Sequence, residues 1–173
     1  MEKLLDFLLN FLDSFKAWSV IRAYQEGVVL RFGIYRKTLP PGFHWIIPLV
    51  DTVEEVVMVP TTITLPAQTI TLKDGRMVVA KAMVKCKVAD SKVYSTEVYD
   101  AKDALSDTAC GIIFDTVHGM DLGQANVASL SSLVTKDTKR EAKKWGMEVL
   151  AVTFTDFGEV RTIRLINEGA NLG

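Results

Sequence analysis

Histidine and cysteine are scarce in this sequence, two of each in 173 residues, and that scarcity removes most catalytic chemistry at the outset. His44 and His118 have no neighbouring Cys, His or carboxylate at metal-ligand spacing, so no zinc-type site is expected. His44 lies in the apolar run FHWIIP and His118 at a helix end, where the helix dipole favours it, so both are read as structural. Cys86 and Cys110 are too few for a disulfide framework and form no C-x-x-C pair. They are expected to be reduced, buried, inert thiols of a cytosolic domain. Neither a phosphate loop nor a G-x-S-x-G elbow occurs. Gly27, Gly33, Gly42 and Gly75 are scattered through turns and read as conformational. No catalytic residue, metal or cofactor is therefore expected. The formal net charge of -1 lacks the basic excess of a nucleic-acid partner, and an acidic solvating tail is missing as well. Missing too is any unbroken run of about 20 apolar residues, the minimum for a spanning helix.

What the chain has instead is apolar surface in unusual places. On a helical wheel, residues 1–18 put Leu4, Leu5, Phe7, Leu8, Leu9, Phe11, Leu12, Phe15 and Trp18 on one continuous arc. Glu2, Lys3, Asp6, Asn10, Asp13 and Ser14 fill the opposite arc, and Lys16 lies where its stem can snorkel. The acids interrupt every turn, which argues against both a span and a cleavable signal peptide. The arc is wider than the stripe a surface helix turns to a core. An amphipathic helix lying in a membrane surface fits it, with a core or oligomer-contact helix as the other reading. Its side chains carry no net positive charge, so attachment by hydrophobic insertion is expected. The pattern breaks after Trp18, where the helix should end.

From residue 19 to about 90 the signals are those of strands. SVIRAY and VVLRFG flank Gln25-Glu26-Gly27, a hairpin candidate, and Pro40-Pro41-Gly42 forces a turn. Lys73-Asp74-Gly75 predicts a type I′ hairpin between TTITLPAQTITL and the next strand. In that strand Val78, Ala80, Ala82, Val84, Cys86 and Val88 share one face, with Lys81, Lys85 and Lys87 opposite. A helix follows, capped by Asp100, with Leu105, Ala109, Ile112, Ile113 and Thr116 as its stripe, ending near His118-Gly119. A second helix over about 127–145 carries Leu130, Val134, Thr138 and Trp145 and ends at Gly146. The basic run from Lys136 to Lys144 is a solvated face or a salt-bridged contact between copies. A closing strand, MEVLAVTFTDF, completes an α+β pattern. Two readings fit FHWIIPLV: a buried strand, or a loop dipping into a bilayer through Phe43, Trp45 and Ile46 with the indole at headgroup level.

Three stretches in this order resemble the SPFH or band-7 domain of stomatins, prohibitins and flotillins. They are VVLRFGIYRKTLPPGFHWIIPLVDTVEEV, then LPAQTITLKDGRMVVAKAMVKCKV, then the helical half from DTACGIIFDTVHG through KKWGMEVLAVTFTDF. The resemblance implies an antiparallel β-rich domain over residues 19–160, followed in its second half by helices and preceded by the 1–18 helix. It also implies a non-enzymatic, membrane-associated scaffold, peripheral or monotopic on a cytoplasmic face. Such a scaffold self-assembles into homo-oligomers and organises or regulates membrane partners such as proteases or channels. Two departures bear on assembly: residues 161–173, RTIRLINEGANLG, carry no heptads, and DFGEV lacks the Pro often found after the final Asp. A compact version with a short tail is expected from them. A different class of function, a soluble adaptor or inhibitor whose N-terminal helix docks into a partner's groove, fits the same amphipathic segment.

Overall fold

A computed structural model describes residues 17–121, 123 and 126–160. The predicted helix over residues 1–18 and the tail over 161–173 fall almost wholly outside the described residues. Five strands come first: β1 (Trp18–Ile21), β2 (Gln25–Arg31), β3 (Ile34–Leu39), β4 (Gly42–Trp45) and β5 (Asp51–Val57). Then come β6 (Thr61–Thr64), β7 (Gln68–Thr71), β8 (Met77–Val88), α1 (Ser91–Thr96), α2 (Ala101–His118), α3 (Val127–Ala142) with a 3-10 turn over Lys143–Trp145, and β9 (Met147–Glu159). Every strand pairing is antiparallel, and the fold is the α+β arrangement expected.

β8 is the axis of the main core. Its alternation buries Val78, Ala80, Ala82, Val84, Cys86 and Val88 on one face, as the sequence predicts. β6 and β7 pair along one edge of β8 and β9 along the other. Pro66 separates β6 from β7, because proline has no N–H to give to the ladder. α2 and α3 cover the apolar face with Leu105, Ala109, Ile113, Leu130 and Val134. α2 starts where Asp100 accepts from the backbone N–H groups of Lys102 and Asp103, and it ends at Gly119. Side chains from the helices occupy the free strand edges. Ser131 donates to the Val152 carbonyl and Thr135 accepts from the Val152 N–H, which blunts β9 there. His118 hydrogen-bonds the Thr71 carbonyl on β7.

A second, smaller sheet, β3-β2-β5, has minor clusters of its own around Ile21, Val29 and Leu39 and around Val28, Val56 and Val88. Here the structure corrects four expectations. Gln25-Glu26-Gly27 is not a turn: it opens β2, whose residues pair one by one with β5 from Gln25↔Val57 to Arg31↔Asp51. β1 pairs with β4, in the register Trp18↔Trp45, so Trp18 belongs to a strand and not to a helix's apolar arc. Next, Lys73-Asp74-Gly75 does reverse the chain, but only Gly75 has positive φ, +82°. The Gly75 N–H donates to the Leu72 carbonyl and that of Leu72 to the Arg76 carbonyl, a three-residue turn closed by a left-handed glycine. The two-residue turn with both φ positive forms instead at Phe32-Gly33, +52° and +80°, between β2 and β3. Finally, FHWIIPLV is not a buried strand: only Gly42–Trp45 is extended, and Phe43 and Trp45 are exposed.

Candidate functional site

The two-stranded β1–β4 sheet turns Ile21 into the core and leaves Trp18, Val20, Phe43 and Trp45 exposed. Strand alternation puts these four on one side, in the cross-strand pairs Trp18↔Trp45 and Val20↔Phe43. The rings interlock edge to face, 6.5 Å between Trp18 and Trp45 and 5.5 Å between Phe43 and Trp45. Ile46 is half-buried, and its N–H donates to the Ala17 carbonyl, which prolongs the pairing. His44, on the opposite side of β4, hydrogen-bonds the Pro40 carbonyl through Nε2 at 2.7 Å, a structural contact.

Trp45 leads directly into the loop 46–50, where Ile47 and Leu49 are exposed. This loop lies against the β2–β3 turn: the Phe32 N–H donates to the Val50 carbonyl at 3.1 Å. Phe32 and Leu49, the two loop tips, are each 79 % exposed and each sits at positive φ, +52° and +66°. Left-handed backbone is costly for bulky side chains, by roughly 1–2 kcal/mol each. Ile34, next to the turn, is exposed too.

One ion pair holds the two tips together. Arg31, at the end of β2, grips Asp51, at the start of β5, through Nε to Oδ1 at 2.7 Å and through its terminal nitrogen to Oδ2 at 3.1 Å. Asp51 Oδ2 also accepts from the Ile47 N–H at 3.0 Å, so the carboxylate braces the 46–50 loop. The Asp51 side chain is only 5 % exposed. Its pKa is pulled down to about 2, chiefly by the Arg31 hydrogen bond and then by the Ile47 N–H, with the nearby charge of Arg36 contributing.

Of the residues predicted to meet lipid, the structure thus brings Trp18, Phe43 and Trp45 onto one exposed face and sets Ile46 half behind it. Leu4, Leu5, Phe7, Leu8, Leu9, Phe11, Leu12 and Phe15 lie outside the described residues. Phe32, Ile34, Ile47 and Leu49 were not singled out from sequence. Their signal was the exposed turn itself, hidden because Phe-Gly is not a usual turn pair.

Elsewhere several charged and thiol groups have structural roles. Arg140 faces Asp137 and Glu141 at 3.5 Å each, and Lys144 pairs with Glu141, so part of the basic run is paired within its own helix. Burial pushes the Cys86 thiol up, and the Cys110 thiol likewise, away from reactive thiolate. Among the described residues no group of three or more His, Cys, Asp or Glu is placed to hold a metal ion. None of the described helices is long and apolar enough to cross a membrane.

A fold with an antiparallel β-rich half, a helical half and an exposed apolar end defines a recognisable class. The chain belongs to the SPFH domain / Band 7 family, whose model matches residues 19–164. Among proteins it is similar to is Stomatin-1 of Caenorhabditis elegans, 27 % identical over 169 residues, covering 95 % of this chain and 49 % of that one. Uncharacterised proteins of two archaea are similar at 26 %. That of Methanothermobacter thermautotrophicus matches over 80 % of this chain and 44 % of its own, that of Archaeoglobus fulgidus over 79 % and 56 %. The chain thus spans about half the length of the curated relatives it matches. The family is in general one of membrane-associated, non-enzymatic scaffolds.

Proposed function

We propose that this chain rests on a membrane surface, peripherally and on its cytoplasmic face, as a non-enzymatic scaffold. Copies of it assemble with one another and organise or regulate membrane proteins such as proteases or channels. The observation that carries the reading is the exposed apolar end: the aromatic face of Trp18, Phe43 and Trp45, continued by the tips Phe32 and Leu49. Exposed apolar surface gathered in this way marks an interaction site, and tryptophans are favoured at the membrane–water boundary. Residues 1–16 supply a second apolar element next to it in the chain, and family membership supports both membrane and scaffold.

The test is flotation of the intact chain with phosphatidylcholine vesicles, alongside a Trp45→Ser, Leu49→Asn double variant and a version lacking residues 1–16. Binding that survives high salt and weakens in both altered proteins is the expected result. If the double variant floats as well as the parent, the apolar end is not a membrane contact. If no version floats, the apolar surfaces face protein, and the soluble-adaptor reading takes over.

A further inference from the structure

Beside the apolar tips lies an open concavity of about 430 Å³ lined by Arg31, Phe32, Ile34, Tyr35 and Arg36. Ile34 and Arg36 stand two apart on β3, so strand alternation already turns both toward one face, while Tyr35 packs on the other against Val28 and Val56. Leu30 pairs with Tyr35 and Val29 with Lys37, so Arg36 is the extra residue of a β-bulge. Arg31, cross-strand partner of Ile34, lies on that face too, and the extra residue at the bulge interrupts the ladder beside it.

The charges there do not cancel. Arg31 is matched by Asp51, whereas no ion pair among the described residues engages Arg36. Lys92, whose ammonium stands 4.9 Å from the centre of the Tyr35 ring, is not one of the residues that line the hollow. Tyr35 in turn is fixed by a hydrogen bond between its hydroxyl and that of Thr38 at 3.2 Å. The hollow is therefore cationic on one wall and apolar on the other, where Phe32 and Ile34 stand exposed.

We propose that this hollow seats the phosphate of an anionic phospholipid, with the Arg36 guanidinium on the phosphate oxygens and Phe32 and Ile34 against the glycerol and upper acyl chains. A guanidinium presents a planar fork of donors that matches phosphate oxygens. A free phosphate would leave the apolar wall in water, whereas a lipid covers both walls, which is why the occupant is a lipid. The inference rests on the membrane-surface reading and adds a lipid preference that the uncharged apolar tips alone do not supply.

The test compares vesicles of pure phosphatidylcholine with vesicles doped with phosphatidylglycerol, using the full chain, Arg36→Gln and Arg36→Lys. Thermal melts first establish that both variants, altered at an exposed bulge, fold as the parent does. Phosphatidylglycerol should strengthen binding of the parent, and Arg36→Gln should lose about fivefold of that gain, with a smaller loss on phosphatidylcholine, whose choline cation offsets the phosphate charge that Arg36 meets. Arg36→Lys decides between a seat and a diffuse field. Loss of the gain despite the retained charge supports the seat; full retention overturns it. A parent protein that gains nothing from phosphatidylglycerol also overturns the seat, yet leaves the apolar-end reading standing. A parent that binds no vesicle at all sinks that reading, and the seat with it. Titration with inorganic phosphate, followed by the amide resonances of residues 31–36, separates the two anion sources. Saturable, Arg36-dependent shifts in the absence of lipid would mean a free-anion site and overturn the lipid assignment.

Discussion

Replacing Gly146 by Ala should be among the most damaging single-methyl changes in the described chain, and its cost can be built from the structure. Gly146 closes the 3-10 turn after α3 with φ at +68°, and an alanine there bears roughly 1–2 kcal/mol for the left-handed backbone. The added Cβ would also stand 2.5 Å from the Asp90 carbonyl oxygen, 3.0 Å from the Tyr94 nitrogen and 3.0 Å from Val93 Cβ. The first two of these are backbone atoms and cannot swing aside. The Asp90 carbonyl accepts from the Tyr94 N–H, and the N–H groups of Ala89 and Asp90 both donate to the Gly146 carbonyl. Moving Asp90 away therefore strains three hydrogen bonds, each contributing about 1 kcal/mol. Backbone and contact terms together come to about 4–5 kcal/mol.

Gly75→Ala supplies the reference. Gly75 has a similar φ, +82°, but nothing lies within 4 Å of a Cβ built there. Only the backbone term applies, so its cost should stay near 1–2 kcal/mol. Urea unfolding followed by far-UV circular dichroism gives both numbers. With a slope of about 2 kcal/mol/M, Gly146→Ala should lower the midpoint by about 2 M or more and Gly75→Ala by about 0.5–1 M. Equal midpoints for the two variants would refute the contact argument, since the approach to Asp90 would then carry no energy.

Three further outcomes follow from the same geometry. Thr138 is fully buried in α3 with no partner for its hydroxyl, so Thr138→Val should raise stability by about 1 kcal/mol; a lower melting temperature would show that the hydroxyl is satisfied in solution. Asp51 titrates at about 2 in the folded chain against an ordinary 3.8, so its contribution is fully present above 3.8 and is lost as pH falls through about 2. Melting curves of the parent and Asp51→Asn should accordingly converge across that window and run parallel above it; a constant gap throughout would remove the clasp from the account. Leu49→Asn places a residue tolerant of left-handed backbone at an exposed tip, so stability should hold or rise by up to about 1 kcal/mol while vesicle flotation weakens. Flotation unchanged by this variant would exclude the tip from the membrane contact.

Where the physics is local, the sequence was legible. The alternation of β8, the Asp100 cap, and the Gly146 stop after α3 depend on residues within a turn or a strand of one another, and each stands where it was read. Pairing is not local. That β1 joins β4 and not β2 depends on Trp18 meeting Trp45 across 27 positions of chain, which no periodicity encodes. Turn chemistry misled in a second way. Asp-Gly promised a two-residue reversal at residue 74, yet that turn formed at Phe32-Gly33, where tertiary contact with Val50 holds an unfavourable residue in place. α1 was not foreseen, because six residues are too few to show a helical period. At the candidate site, Phe43 and Trp45 could be named from their apolar run, whereas the partnership of Phe32 with Leu49 and the bulge at Arg36 exist only once the strands are in register.

The distribution of unfavourable features bears on function more than any one of them. Among the described residues, the two non-glycines at positive φ, the exposed aromatic face and the Arg36 bulge all fall between Trp18 and Trp45 or in the loop that follows. A turn that only reverses the chain is more stable with Asn-Gly than with Phe-Gly, and a loop tip with Asn or Gly than with Leu. Holding Phe32 and Leu49 in left-handed backbone, both pointing into water, is unfavourable twice over, in conformation and in solvation. The Arg31–Asp51 clasp and the Phe32–Val50 hydrogen bond lie at the base of these two tips and hold them together. Strain and exposure collected at one braced end, while the main core beneath α2 and α3 is regularly packed, are what a surface shaped to meet something apolar requires. A lipid interface relieves the solvation cost at both tips simultaneously, which a small ligand in the hollow would not do.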